Sequence, residues 1–155
     1  MKRLHLLAVG KLRAPHWQAA AAWYAQRLAR AFSLTERLVK DAGMAAPEER
    51  ARAEGERILA ALAPEQYPIC LDERGKQFTS PEFAVFLARL YDQAEKIPCF
   101  IIGGAFGLAP AVLDTARAVV SLGRITLPHE LARVVLLEQL YRVDQIWRNS
   151  PYHHG

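Results

Sequence analysis

The chain has 155 residues, 52% hydrophobic and 23% charged, with a formal net charge of +4. That is the size and make-up of one domain with a sizeable core, spanning residues 1–155. No apolar run approaches the roughly 20 residues that cross a bilayer, so a membrane role is excluded. Two cysteines, Cys70 and Cys99, lie far apart inside apolar runs. They read as buried free thiols of a reducing cytoplasm, and their spacing fits neither a disulfide framework nor a metal site.

The chain opens on an apolar run that looks superficially like a signal peptide. Lys11 and Arg13 interrupt it too soon, so residues 3–9 are read as a first strand closed by Gly10. Residues 14–32 follow as a helix, with Pro15 in its first turn and Trp17, Ala20, Ala21, Tyr24 and Leu28 spaced for one buried face. Residues 34–40 alternate apolar and polar, the pattern of a strand near an edge. Residues 47–62 form a surface helix rich in Glu and Arg. A strand over 67–71 then runs into a charged turn at 72–76. Thr79, Ser80, Pro81 and Glu82 start a helix that continues to about 96, with a hydroxyl cap, a proline and an acid in the expected places.

The run 98–102 is continuously apolar, as a strand buried on both faces of a parallel sheet would be. Residues 110–118 read as a short helix. Two short strands, 119–122 and 125–127, flank Gly123 and Arg124. The last helix, 130–148, is apolar on more than one side: Ala132, Leu136, Leu140, Val143 and Trp147 make one stripe, and Leu131, Val134, Val135, Leu137 and Tyr141 lie on others. One side can face the sheet and another a second subunit. The alternation of strands and helices predicts an α/β fold, a mainly parallel sheet with helices on both faces.

Charge is uneven along the chain. Lys2, Arg3, Lys11, Arg13, Arg27 and Arg30 all precede the first acid, Glu36. A nucleic-acid-binding face needs such a region. A solvated basic surface would show it too, and charge alone does not separate the two.

The glycines of Gly103–Gly104–Ala105–Phe106–Gly107 follow a central strand, where open α/β sheets bind ligands. No Lys-Ser/Thr pair follows them, which excludes a P-loop, and they do not follow the first strand, which excludes the dinucleotide pattern. The apolar loop 122–128 offers little to a phosphate. Together the two loops suit a flat base with an uncharged sugar, as in the adenosine of S-adenosylmethionine.

Several segments together resemble the RlmH family. They are Ile102–Gly103–Gly104 with Gly107–Leu108, Thr126–Leu127–Pro128–His129 with Arg133, Leu140–Tyr141–Arg142, and Asn149 with Pro151–Tyr152–His153. Leu7–Ala8–Val9–Gly10–Lys11 and Leu71–Asp72 with Gly75–Lys76 match as well, so the likeness runs through the chain in order. That family belongs to the SPOUT methyltransferases. The resemblance implies methylation of N3 of a pseudouridine in 23S ribosomal RNA with S-adenosylmethionine, a carboxyl-terminal trefoil knot and a homodimer acting on ribosomal RNA or the assembled ribosome. It places cofactor contacts on Leu71, Gly103, Leu122, Gly123, Arg124, Ile125, Thr126 and Leu127, and no metal. Where some members carry Pro-Glu between the glycines this chain has Ala105–Phe106, so no role for an acid transfers there.

For the chemistry, Arg142 is the candidate cation beside the N3 anion. It stands one helical turn after Glu138, a spacing that also makes an ordinary surface ion pair. Tyr152 and His153 are the other candidate catalytic groups, with His153 either a base or a donor to the uracil edge. The matching tail is expected to be ordered against the partner subunit's cofactor pocket. His129 serves capping, packing or catalysis equally well. Two other functions compete: an RNA-binding module that has lost the cofactor, and a SPOUT enzyme acting on tRNA. The intact glycine and tail motifs weigh against the first, and the compact length against the second.

Overall fold

The computed structural model describes residues 1–93 and 95–154. The elements are β1 (Lys2–Val9), α1 (Pro15–Leu28), β2 (Phe32–Val39), α2 (Pro47–Ala61), β3 (Gln66–Gln77), α3 (Ser80–Gln93), β4 (Ile97–Ile102), α4 (Pro110–Thr115), β5 (Ala118–Ser121) and α5 (His129–Trp147). The sheet order is β2-β1-β4-β3-β5, and each adjacent pair of strands is parallel. The α/β reading with helices on both faces therefore holds.

Side-chain alternation along the strands makes two cores. Leu4, Leu6 and Ala8 of β1, with Phe100 and Ile102 of β4, enter the core covered by α1, α3 and α5. Leu7, Val9, Cys99 and Ile101 enter the other, covered by α2 and α4. All six residues of β4 are buried, as its unbroken apolar run requires. The amphipathic strand β2 lies at an edge. Among the described residues no helix is long and apolar enough to cross a membrane.

Several boundaries differ from the sequence reading. The first helix stops at Leu28 rather than 32, because Phe32 begins β2 in register with Lys2. The helix at 80 opens on a reciprocal cap: Glu82 N–H donates to Thr79 Oγ1 at 3.2 Å and Thr79 N–H to Glu82 Oε2 at 2.7 Å. It ends at Gln93, short of the expected 96. Ala94 lies outside the described residues, and Glu95 and Lys96 are not helical. The helix at 110 ends at Thr115, and Arg117 N–H already donates to Pro68 C=O.

Two differences shape the site. The charged segment 72–76 is not a turn but part of β3. Leu71 and Lys76 both pair with Val120, so the four residues between them bulge from the ladder. Gly75 makes this possible, since a Cβ there would lie 2.6 Å from the Val119 carbonyl carbon. Residues 125–127, expected to form a strand, are an irregular loop with no ladder partner. Gly123 precedes them with φ +137°, a turn that carries the chain away from the sheet edge.

Candidate active site

A cleft of about 950 Å³ opens at the carboxyl ends of β3, β4 and β5. Three loops wall it: the β3 bulge, the glycine turn after β4, and the segment between β5 and α5. The glycine turn closes on itself, with Gly107 N–H donating to Gly104 C=O at 3.1 Å. A Cβ on Gly103 would stand 2.7 Å from the Gly107 carbonyl carbon, so only glycine fits there. In the third loop, Ser121 Oγ accepts from Gly123 N–H at 3.1 Å and donates to Gly123 C=O at 2.8 Å. Thr126 Oγ1 donates to Glu73 Oε2 at 3.2 Å and ties that loop to the bulge.

Of the expected cofactor contacts, Leu71, Gly103, Leu122, Gly123, Ile125, Thr126 and Leu127 all line this cleft. Arg124 does not. It is exposed and stands outside the lining, between Gly123 and Ile125, which are part of it. Sequence reasoning missed the bulge. Asp72 and Arg74 reach the cleft, with Arg74 Nε 2.8 Å from Asp72 Oδ1. That hydrogen bond from Arg74 holds the Asp72 carboxyl below its usual range. A charged run after an apolar strand, ending in glycine, was the available signal, and it fits a turn equally well.

His129 lies at the cleft wall, half-buried at the start of α5, and burial lowers its pKa. Phe106 also lines the cleft, half exposed, with the Arg50 guanidinium 5.0 Å from its ring centroid. Behind the glycine turn, Glu54 is only 2% exposed, although α2 reads as a surface helix. Its Oε2 accepts from Ala42 N–H at 3.1 Å, and its Oε1 would crowd a Cβ on Gly104 at 2.8 Å. Arg133, also buried, donates to Gly10 C=O at 2.7 Å and locks α5 to the end of β1.

The expected catalytic groups assemble elsewhere. From His129 to Arg142 is about 20 Å of helix at about 1.5 Å per residue. Arg142 Nη2 donates to Glu138 Oε1 at 2.6 Å and Nε to the same oxygen at 3.1 Å. The tail reaches this pair because α5 ends in a left-handed Asn149, φ 54°, with Ser150 N–H donating to Gln145 C=O and Asn149 N–H to Ile146 C=O. Tyr152 then donates to Glu138 Oε1 at 3.2 Å, and the Arg142 guanidinium stands 4.9 Å from the Tyr152 ring. Arg142 Nη1 donates to His153 Nδ1 at 3.3 Å. The tail is thus ordered on its own α5 within one chain, and the cluster forms no part of this chain's own cleft.

Burial, then the charge of Glu138, pushes the Tyr152 phenol up to about 12. It stays protonated and donates. The hydrogen bonds to Glu138 raise Arg142, which is a permanent cation.

The family described as "Predicted SPOUT methyltransferase" matches residues 1–153. The ribosomal RNA large subunit methyltransferase H of Nitratidesulfovibrio vulgaris (strain DSM 19637 / Miyazaki F) is 57% identical over 155 residues, covering 99% of this chain and 100% of that protein. The protein of the same name from Lawsonia intracellularis is 50% identical over 154 residues, covering 99% and 98%. Among solved structures, a probable methyltransferase from Bordetella pertussis Tohama I aligns with a TM-score of 0.57 at 18% identity, covering 92% of this chain and 96% of that one. A probable methylase family protein from Haemophilus influenzae Rd KW20 aligns at 0.56 with 11% identity, covering 98% and 70%. These two structures share the fold.

Proposed function

The chain belongs to the SPOUT methyltransferase family, and from that premise we propose that it transfers a methyl group from S-adenosylmethionine to N3 of a pseudouridine in 23S ribosomal RNA. The observation that carries this reading is the cleft. Its lining is largely glycine main chain and apolar side chains, and its one arginine, Arg74, is set against the acids Asp72 and Glu73. Such a site suits an uncharged nucleoside and gives a polyphosphate little. Gly103, Leu71 and the loop of Leu122, Gly123, Ile125, Thr126 and Leu127 would hold it. Bound there, S-adenosylmethionine supplies a methyl group already activated by its sulfonium.

The remaining work falls to the side chains. As N3 loses its proton to solvent, negative charge develops on the uracil ring, and Arg142 is the cation that stabilises it. Glu138 and the Tyr152 ring fix the guanidinium in place. His153, held against Arg142 through Nδ1, lies beside that cation as the candidate contact to the uracil edge.

A cluster about 20 Å along α5 from the cleft completes a site only with a second copy. We propose a homodimer in which each chain's Arg142, Tyr152 and His153 face its partner's cleft. Leu131, Val135, Glu138 and Arg142 form one partly exposed stripe of α5 that would meet the partner. Residues 1–155 act as one domain in this reading, in the reducing cytoplasm where ribosomes lie. The carboxyl-terminal trefoil knot that the family resemblance implies belongs to the same proposal.

The test is incubation with tritiated S-adenosylmethionine and ribosomes from a strain lacking the modification. Label on N3 of a large-subunit pseudouridine is expected. Absence of both label and cofactor binding would overturn the reading.

A further inference from the structure

Beside the Arg142 cluster, α1 and the carboxyl-terminal half of α5 frame charge that methyl transfer does not use. One groove there, of about 690 Å³, is walled by Arg27, Arg30 and Arg148 among others. A second, of about 440 Å³, is walled by Lys2, Arg30 and Arg148. The two share Arg30, Asp144 and Arg148, so they form one channel. Its only acid among the lining residues, Asp144, is spent: Arg148 Nε spans its two oxygens at 2.8 and 3.0 Å. The channel is left with an excess of positive charge.

An aromatic path joins this channel to the cluster. The Arg27 guanidinium stacks 3.1 Å from the Trp23 ring centroid, and Trp23 is 44% exposed. Trp23 lies edge-on to Tyr141 at 6.3 Å, and Tyr141 edge-on to Tyr152 at 4.8 Å. A large exposed aromatic beside arginines is what a single strand of nucleic acid uses, base on ring and phosphate on cation.

We infer that this channel is the track for the substrate's RNA strand, with Lys2, Arg27, Arg30 and Arg148 holding successive phosphates and Trp23 stacking a base beside the Arg142 cluster. The inference rests on ribosomal RNA being the substrate. It is compatible with the proposed dimer. At about 100° per residue, the stripe of Tyr141, Asp144 and Arg148 lies roughly a third of a turn around α5 from that of Leu131, Val135 and Arg142. A second copy on one leaves the other open.

The test is filter binding of deproteinised large-subunit ribosomal RNA to the full chain across a potassium chloride series. For Arg27→Gln/Arg30→Gln/Arg148→Gln, affinity should fall at least about tenfold and the slope of log K against log salt should drop by about 2, at about 0.7 per single-strand phosphate. Trp23→Ala should cost about tenfold with the slope unchanged. Arg30→Lys should keep the slope of the unaltered chain. Affinity for S-adenosylmethionine, measured by calorimetry, should stay constant throughout. Unchanged RNA affinity and slope in the triple variant would overturn the track, as would RNA binding by the unaltered chain that ignores salt. Loss of dimer in the triple variant would also overturn it, by assigning the channel to contacts between copies. Failure of the underlying function would read differently, as an unaltered chain that binds no S-adenosylmethionine and labels no ribosomes.

Discussion

At the amino end of α5 the molecule presents a cleft shaped chiefly by glycine turns and apolar side chains; at the carboxyl end it presents polar side chains held to one another. The cleft depends on what is absent, the Cβ atoms that Gly103 and Gly75 lack, because each would strike backbone at 2.7 or 2.6 Å. The Arg142 cluster depends on what is present, a guanidinium bound by Glu138, faced by Tyr152 and touching His153. A site for an uncharged nucleoside is best made from shape. A site for developing charge is best made from a fixed ion. The two ends should therefore fail to opposite kinds of substitution.

The largest expected effect separates them at once. Arg142→Ala should slow single-turnover methyl transfer by about 10²–10³-fold while calorimetry finds S-adenosylmethionine affinity intact. Arg142→Lys should not restore the rate, because an ammonium cannot reproduce the forked contact with Glu138. A parallel loss of cofactor affinity in Arg142→Ala would merge the two regions.

Gly103→Ala makes the converse break. Overpacking at a backbone contact costs about 1–3 kcal/mol, so cofactor affinity should weaken by about 5–150-fold. The rate at saturating cofactor should change little. A variant that binds normally but turns over slowly would put Gly103 in the chemistry instead.

A smaller effect sharpens the role of the tail. Tyr152→Phe removes one hydrogen bond to Glu138, about 0.5–1.5 kcal/mol, and should slow transfer by about two- to tenfold. With the phenol pushed up to about 12, its ionisation lies above the working range. The pH–rate profiles of Tyr152→Phe and the unaltered chain should therefore run parallel up to about pH 10. An alkaline limb that vanishes in the variant would make Tyr152 a titrating catalyst.

The smallest effect is one of stability. Arg74 holds the Asp72 carboxyl below its usual range, so this pair stabilises the fold above the unfolded value and the gain is lost as pH falls through the folded one. Arg74 is exposed, so the gain is slight. Asp72→Asn should flatten the decline of Tm below about pH 4. An unchanged decline would show that the bulge is held without the pair.

How much of this was legible in sequence follows from the same contrast. The cleft's position was readable because β4 is an unbroken apolar run that ends in glycines, and strand ends are where parallel sheets bind ligands. The loop residues 122–127 were readable as a group, but not that Arg124 alone among them stands outside the lining, since that depends on how the loop turns after Gly123. The β3 bulge was hidden because Asp72–Glu73–Arg74–Gly75 has turn composition, and only pairing with β5 decides between turn and bulge. The burial of Glu54 was hidden for a similar reason, since its helix has a surface composition and the glycine turn that covers it comes fifty residues later in the chain. The cluster's members came from motif resemblance. Their attachment to their own α5 rests on the left-handed turn at Asn149, a backbone feature that no spacing reveals.

In the proposed homodimer the two ends of α5 work together only across two chains. Mixing Gly103→Ala chains with Arg142→Ala chains, after unfolding and refolding together, tests it directly. Each mixed dimer would pair the intact cleft of one chain with the intact cluster of the other. Assayed at S-adenosylmethionine too dilute to fill the Gly103→Ala cleft, with half the dimers mixed and one good site in each, about a quarter of the unaltered activity should return. Activity no higher than the sum of the two variants assayed separately would contradict the claim and place cleft and cluster in separate functions.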